Sequence, residues 1–152
     1  MKRTKQDAIN FAVFRLPALS VNEGAARAAV AAFCAQLAPT ATELADIKCA
    51  VSEAVTNCVV HAYREQAGHF TVTILLFADR RVRIAVRDRG CGIADVKKAR
   101  EPLFTTDAAG ERSGMGFTVM ESFMDKLTVR SSPGRGTLVV MEKQFGVGAK
   151  RT

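Results

Sequence analysis

Residues 43–63, ELADIKCAVSEAVTNCVVHAY, constrain this chain most, because they read as one long helix with an apolar side that something must cover. Thr40-Ala41-Thr42-Glu43 has capping-box spacing: a Thr oxygen for an orphan N–H, then a Glu three residues on. Pro39, just ahead, cannot continue an upstream helix. Stepping about 100° per residue from Ile47 gathers Leu44, Val51, Ala54, Cys58 and Ala62 into one stripe. Glu53, Asn57 and His61 follow at i, i+4 and i+8 and form a polar row on its flank. Such a row is either a solvated helix edge or the lining of a pocket beside the helix. In a pocket, a carboxylate and an amide one turn apart suit a hard cation, or a base beside a metal-ligating amide.

The chain has 152 residues, 48% of them apolar, which predicts a single domain with a real core. With no Trp and one Tyr, that core is aliphatic and Phe-based. No apolar run reaches the roughly 18 residues of a membrane span. No apolar segment follows the basic start MKRTKQDAIN, so a cytoplasmic protein is expected. Cys34, Cys49, Cys58 and Cys91 show no C-x-x-C spacing and read as reduced thiols, the two on the central helix as small apolar fillers. The net charge of +7 sits in the tails: without Lys2, Arg3, Lys5, Lys143, Lys150 and Arg151, 16 basic residues face 15 acidic ones. A nucleic-acid groove belongs in the body of a domain, so that function is disfavoured. Arg80, Arg81, Arg83, Arg87 and Arg89 form one local cluster on a hairpin; some of them are expected to share one solvated basic face, which could equally contact an acidic partner.

In chain order, residues 8–16 alternate as a strand ended by Pro17. Ser20 and Glu23 have capping-box spacing for a helix to about Leu37, with Val30, Phe33, Cys34 and Leu37 apolar and Arg27 exposed among small residues. Residues 70–77 and 81–87 read as a hairpin of strands, with Val82, Ile84 and Val86 inward. A short helical piece near 95–100 follows, broken by Pro102, and a mobile segment is expected through Ser113. Gly114-Met115-Gly116 opens a helix bearing Phe117, Met120, Phe123 and Met124. Residues 127–131 and 137–142 form a last hairpin, with 137–142 expected at the sheet edge. The ordered core is expected over about 8–143, and the tail 146–152 as disordered. The order β-α-α-β-β-α-β-β predicts an α+β fold: a two-layer sandwich whose mixed, mostly antiparallel sheet is covered on one face by helices.

Three signals come in one order: Glu53-x-x-x-Asn57, then Asp88-x-Gly90-x-Gly92 at a strand's end, then Gly114-x-Gly116 at a helix start. A carboxylate at the end of a buried strand can accept a hydrogen bond from an exocyclic amine, while glycines let a flat ring approach. Glycines at a helix start turn bare N–H groups toward phosphate oxygens. Asn57 can hold Mg²⁺ whose other ligands come from substrate phosphates. Together they predict a nucleotide site: adenine at Asp88, metal at Asn57, phosphates at Gly114 and Gly116. The Walker A and six-residue G-x-G-x-x-G patterns are absent, which excludes P-loop and Rossmann readings.

SEAVTNCVVHAY resembles the N box of the GHKL (Bergerat-fold) ATPases, RDRGCGI the G1 box, RSGMGF the G2 box, and Gly134-x-Gly136-Thr137 the final glycine-threonine signature. ALSVNEGAARAAVAAF, EPLFTTDAAGERSGMGFTVMESFMD and SSPGRGT narrow the likeness to the anti-sigma F factors of sporulating bacteria, a serine-kinase branch, over roughly residues 10–142. The resemblance implies ATP/ADP and Mg²⁺ as ligands and residues 94–113 as a nucleotide lid. It implies Glu53 as general base on a substrate serine, Asn57 on Mg²⁺, Asp88 on adenine, and Gly90, Gly92, Gly114, Met115, Gly116 and Thr137 around the nucleotide. Arg112 would meet the γ-phosphate or a docked partner. Arg27 matches a position that contacts partners. These partners would be a sigma-F-type sigma factor, kept from RNA polymerase, and an anti-anti-sigma factor, inactivated by phosphorylation, with the chain itself a homodimer. Two alternatives stay open: a nucleotide-gated binding module without significant kinase activity, and the related stress-response kinase. A preceding phospho-accepting helix or a following transducer domain is not expected, which disfavours sensor-kinase, gyrase and MutL readings.

Overall fold

Alternation builds the sheet. In Arg81–Asp88, Val82, Ile84 and Val86 are buried on one side, while Arg81, Arg83, Ala85 and Arg87 occupy the other. In the computed structural model, which describes residues 3–64, 66–102 and 116–146, this strand (β3) is the middle one of five. The others are β1 (Asn10–Pro17), β2 (His69–Leu76), β4 (Lys126–Ser132) and β5 (Gly136–Gln144). Their order is β1-β2-β3-β5-β4, and every neighbouring pair is antiparallel, so the sheet is not mixed. The helices are α1 (Val21–Cys34), α2 (Ala41–Thr56), α3 (Val96–Ala99) and α4 (Gly116–Phe123). Buried side chains of α1, α2 and α4 share one core cluster with those of β2, β3 and β5, giving the expected two-layer α+β sandwich.

β5, not β4, is interior, which corrects the expected edge position of residues 137–142. β5 buries Val139 and Met141 beneath the helices, whereas no residue of β4 is fully buried. The placement matters for the site, because it sets Asp88 opposite Thr137.

The Thr40 capping box forms as expected: Glu43 N–H donates to Thr40 Oγ1 at 3.1 Å, and Thr40 N–H to Glu43 Oε1 at 2.9 Å. Glu43 Oε2 also accepts the Gly146 N–H at 2.8 Å, tying the end of the sheet to the start of α2. The Ser20 box does not form. Ser20 already has helical backbone, φ −57° and ψ −32°, and makes no side-chain cap. The Glu23 carboxylate instead takes the Arg27 guanidinium.

The central helix is not α to its end. After Thr56 it widens into a π-turn over Asn57–Ala62. Ile47, Val51, Ala54, Cys58 and Ala62 are buried as predicted, with Leu44 packed at the core's edge. Cys49, read as a filler, is exposed. The arginine cluster is split. Arg80 donates to Leu37 O at 3.0 Å and to Ala38 O, and Arg83 pairs with Glu142 at 3.1 Å, while Arg87 and Arg89 remain exposed. The opposite face of β1 carries exposed Phe11 and Val13, with exposed Ile9 just before the strand and Leu19 and Val21 before and at the start of α1.

Candidate nucleotide site

β3 delivers Asp88 to the rim of the core, where it is 6% exposed. Its Oδ1 accepts the Gly90 N–H at 3.0 Å and the Thr137 N–H at 3.2 Å. Its Oδ2 meets only a soft donor among these contacts, the Cys58 thiol at 3.6 Å, which also lies 3.4 Å from Ala54 O. Burial pushes the Asp88 carboxyl above the ordinary carboxylate range; the N–H donors and the thiol offset part of that. Burial and the Asp88 charge together push the Cys58 thiol far up, so it stays a neutral donor. A buried oxygen with spare acceptor capacity is the feature an exocyclic amine needs.

The glycines after Asp88 have a packing job of their own. A Cβ on Gly90 would lie 2.2 Å from Ala62 O, and one on Gly92, whose φ is +74°, would lie 2.0 Å from Ser132 O. The chain's own backbone fills the space, so these glycines let residues 89–93 lie flat against the π-turn on one side and the β4–β5 hairpin on the other. Cys91 N–H reaches Ala62 O at 2.8 Å, and Gly134 N–H reaches Cys91 O at 2.8 Å.

The second predicted meeting is also present. A Cβ on Gly116, the first residue of α4, would lie 3.3 Å from Glu53 Oε2 and 3.5 Å from Asn57 Oδ1. Glu53 and Asn57 therefore face the start of α4, and Cys58, one residue on, reaches Asp88. The end of the central helix joins both halves of the site. His61 leaves the α-helical phase that aligned it with Glu53 and Asn57, because the π-turn intervenes; its backbone oxygen accepts the Cys91 thiol at 3.4 Å. Asn57 and Glu53 supply hard oxygens, which fits Mg²⁺ completed by phosphate oxygens. Gly114, Met115 and Arg112 lie outside the described residues, as do residues 103–113 of the expected lid. The described part of that lid includes α3, capped by Asp95, and Arg100, which pairs with Glu121 of α4.

Beside Glu53 a cleft of about 250 Å³ opens between α1, α2 and α4. Arg27, Lys48 and Ser52 stand on its walls, with Val119 and Phe123 on the α4 side. Arg27 is not simply solvated: it donates to Glu23 Oε1 at 3.1 Å and to Ser52 Oγ at 3.2 Å.

Two residues at the site went unassigned in the sequence. The Tyr63 hydroxyl accepts the Arg89 N–H at 2.8 Å and donates to His69 O at 2.6 Å. Ser131 Oγ accepts the Ile93 N–H at 2.7 Å and lies 2.9 Å from Gly136 O and 2.8 Å from Thr137 Oγ1. The only available signals were their positions, at the end of the N-box stretch and at the first residue of SSPGRGT.

Comparison with known proteins agrees with this fold. The profile of the family described as histidine kinase-like ATPase domain matches residues 16–143. The anti-sigma F factor of Caldanaerobacter subterraneus subsp. tengcongensis is 58% identical over 127 residues, 84% of this chain and 88% of that protein. The anti-sigma F factor of Clostridium acetobutylicum is 49% identical over 130 residues, 86% and 90% of the two chains. Among solved structures, the catalytic domain of the histidine kinase ThkA in a nucleotide-free form superposes with a TM-score of 0.55 at 18% identity, covering 90% of this chain and 97% of that one. Full-length ShkA, solved with AMPPNP, gives 0.56 at 21% identity over 91% of this chain and 32% of its own. These structures share the Bergerat ATP-binding fold. With its N-box helix, its Asp88 loop and these relatives, the chain belongs to the histidine kinase-like ATPase family and, within it, to the anti-sigma F factors.

Proposed function

We propose that this chain is a cytoplasmic anti-sigma factor of the sporulation type and an ATP-dependent serine kinase. It withholds a sigma-F-type factor from RNA polymerase and phosphorylates the anti-anti-sigma factor. The observation that carries this reading is the convergence of Glu53, Asn57 and the start of α4 beside an open cleft walled by Arg27. In this reading Asp88 Oδ2 accepts the exocyclic amine of adenine, and the loop with Gly90 and Gly92, together with Thr137, shapes the ring's seat. Gly114, Met115 and Gly116 turn N–H groups to the phosphates, and Arg112 meets the γ-phosphate or the docked partner. Mg²⁺, held through Asn57 and the phosphates, supplies neutralisation of the charge that develops on transfer.

The partner's serine enters along the cleft, with Arg27 as a docking contact. Glu53 takes the hydroxyl proton as the serine oxygen bonds to the γ-phosphorus. The bond from that phosphorus to the β,γ-bridging oxygen breaks, and ADP leaves. The test is incubation with Mg-ATP and the cognate anti-anti-sigma factor, read by mass spectrometry. One phosphoserine on the partner is the expected result. ATP bound without transfer would leave a nucleotide-gated binding module, and capture of only a stress-response sigma factor would overturn the sporulation assignment.

The homodimer of this reading is supported by exposed Ile9, Phe11 and Val13, at 61%, 48% and 53% exposure, just before and along the edge strand. Contiguous apolar side chains on an edge invite a second copy. Sedimentation should give a dimer at micromolar concentration, and Val13→Asp with Phe11→Asp should give a monomer. A monomeric parent chain would refute this surface.

A further inference from the structure

The loop 89–93 is held from outside at both ends, by two hydroxyls that no nucleotide role accounts for. At its entry the Arg89 N–H lies 2.8 Å from the Tyr63 hydroxyl, which in turn donates to His69 O on β2. At its exit the Ile93 N–H lies 2.7 Å from Ser131 Oγ on β4. A hydroxyl has one hydrogen and two lone pairs. If Ser131 donates to Gly136 O, it can accept from both Ile93 N and the Thr137 hydroxyl, and its capacity is full. Thr137 also donates its backbone N–H to Asp88 Oδ1 at 3.2 Å. A continuous run of contacts thus leads from Ile93 through Ser131 and Thr137 to Asp88. The middle of the loop is tied by Gly90 N–H to Asp88 and by Cys91 N–H to Ala62 O.

We propose that Tyr63 and Ser131 are positioning residues for base recognition: they fix the two ends of the loop, so that Asp88 and the loop backbone present one shape to the base and reject guanine. The inference rests on the nucleotide-site reading above. Guanine carries an acceptor oxygen where adenine carries its amine, and a fixed Asp88 carboxylate repels it. A loop freed at either end can tilt, which weakens adenine binding and relaxes that rejection. Each hydroxyl lies away from Glu53 and Asn57 in the network, so the chemical step should be spared.

Tyr63→Phe and Ser131→Ala each remove a single oxygen and leave the N–H it served without that partner. The loss of such a contact is worth about tenfold in affinity. ATP and GTP affinities of the parent and both variants should be measured by calorimetry, with KM and kcat for transfer and a melting curve. The expected result is roughly tenfold weaker ATP binding, a smaller ATP-to-GTP preference, raised KM and unchanged kcat, with Ser131→Thr restoring the parent values. Equal loss for ATP and GTP would mean a general structural defect and overturn the inference. So would parent-like ATP affinity in both variants. A parent chain that binds no ATP would instead refute the nucleotide reading itself.

Discussion

Phosphoryl transfer by the Glu53→Gln variant is expected to be roughly 10²–10⁴-fold slower than by the parent chain, the range a general base contributes. Gln keeps the length and the oxygen that Glu53 holds toward the start of α4, but it cannot take the serine proton. Mg-ATP affinity should hold or rise slightly, because one negative charge leaves the neighbourhood of the triphosphate. The measurement is a pair: single-turnover transfer to the anti-anti-sigma factor, and ATP binding by calorimetry. Parent-like turnover would remove Glu53 from the mechanism, whereas loss of ATP binding would make it a ligand-holding group.

Asp88→Asn should separate stability from function. Asn keeps the acceptor that Gly90 and Thr137 use, so the loop anchors survive. It can place an N–H₂ where the adenine amine needs an acceptor, and ATP affinity should fall on the order of 10²-fold or more, as for a charged hydrogen bond turned into a donor clash. Thermal stability at neutral pH should rise, for a reason visible in the fold. Burial raises the Asp88 carboxyl above its unfolded value, so folding favours the protonated form. The stability tied to that proton is fully present below the unfolded pKa and is lost as pH rises through the folded one. At neutral pH the ionised, buried carboxylate therefore costs stability, and the advantage of Asn should shrink as pH is lowered toward the unfolded value of about 3.9. ATP affinity of the parent should decline over the same descent, as the acceptor oxygen gains a proton. Melting curves and titrations from neutral pH downward would check both. An Asn variant less stable than the parent at neutral pH would contradict the burial argument, and unchanged ATP affinity would place the base elsewhere.

Much of this was legible in the sequence where the cause is local. Thr40 and Glu43 are three residues apart, and their capping box formed as the spacing demands. Glu53, Asn57 and Gly116 came together because an i,i+4 pair faces one way and a glycine lets another helix start against it. The misses have non-local causes. The hairpin of β4 and β5 reads the same from either strand, and only pairing with β3 decides which is interior. Cys49 looked like a filler because small residues surround it in sequence, yet it lines the open cleft. Arg27 looked solvated because its second partner, Ser52, is 25 residues away on another helix. Tyr63 and Ser131 carried no signal beyond their places at the ends of motif stretches, because a hydroxyl is ordinary until the backbone it serves arrives from another part of the chain.

The π-turn after Thr56 makes residue count, and not only residue identity, a constraint between Asn57 and Tyr63. A wide turn holds more residues than an α-turn over the same path. Deleting one apolar residue, Val59 or Val60, while the turn keeps its width would leave Glu53, Asn57 and Asp88 untouched in name. Everything after the deletion would then rotate by about 100° about the axis. Ala62 O and the Tyr63 hydroxyl would leave the loop they serve, and the base-binding half of the site would come unhooked from its phosphate half. Between these positions, exchanging one small apolar side chain for another should disturb the site far less than changing the length of the chain.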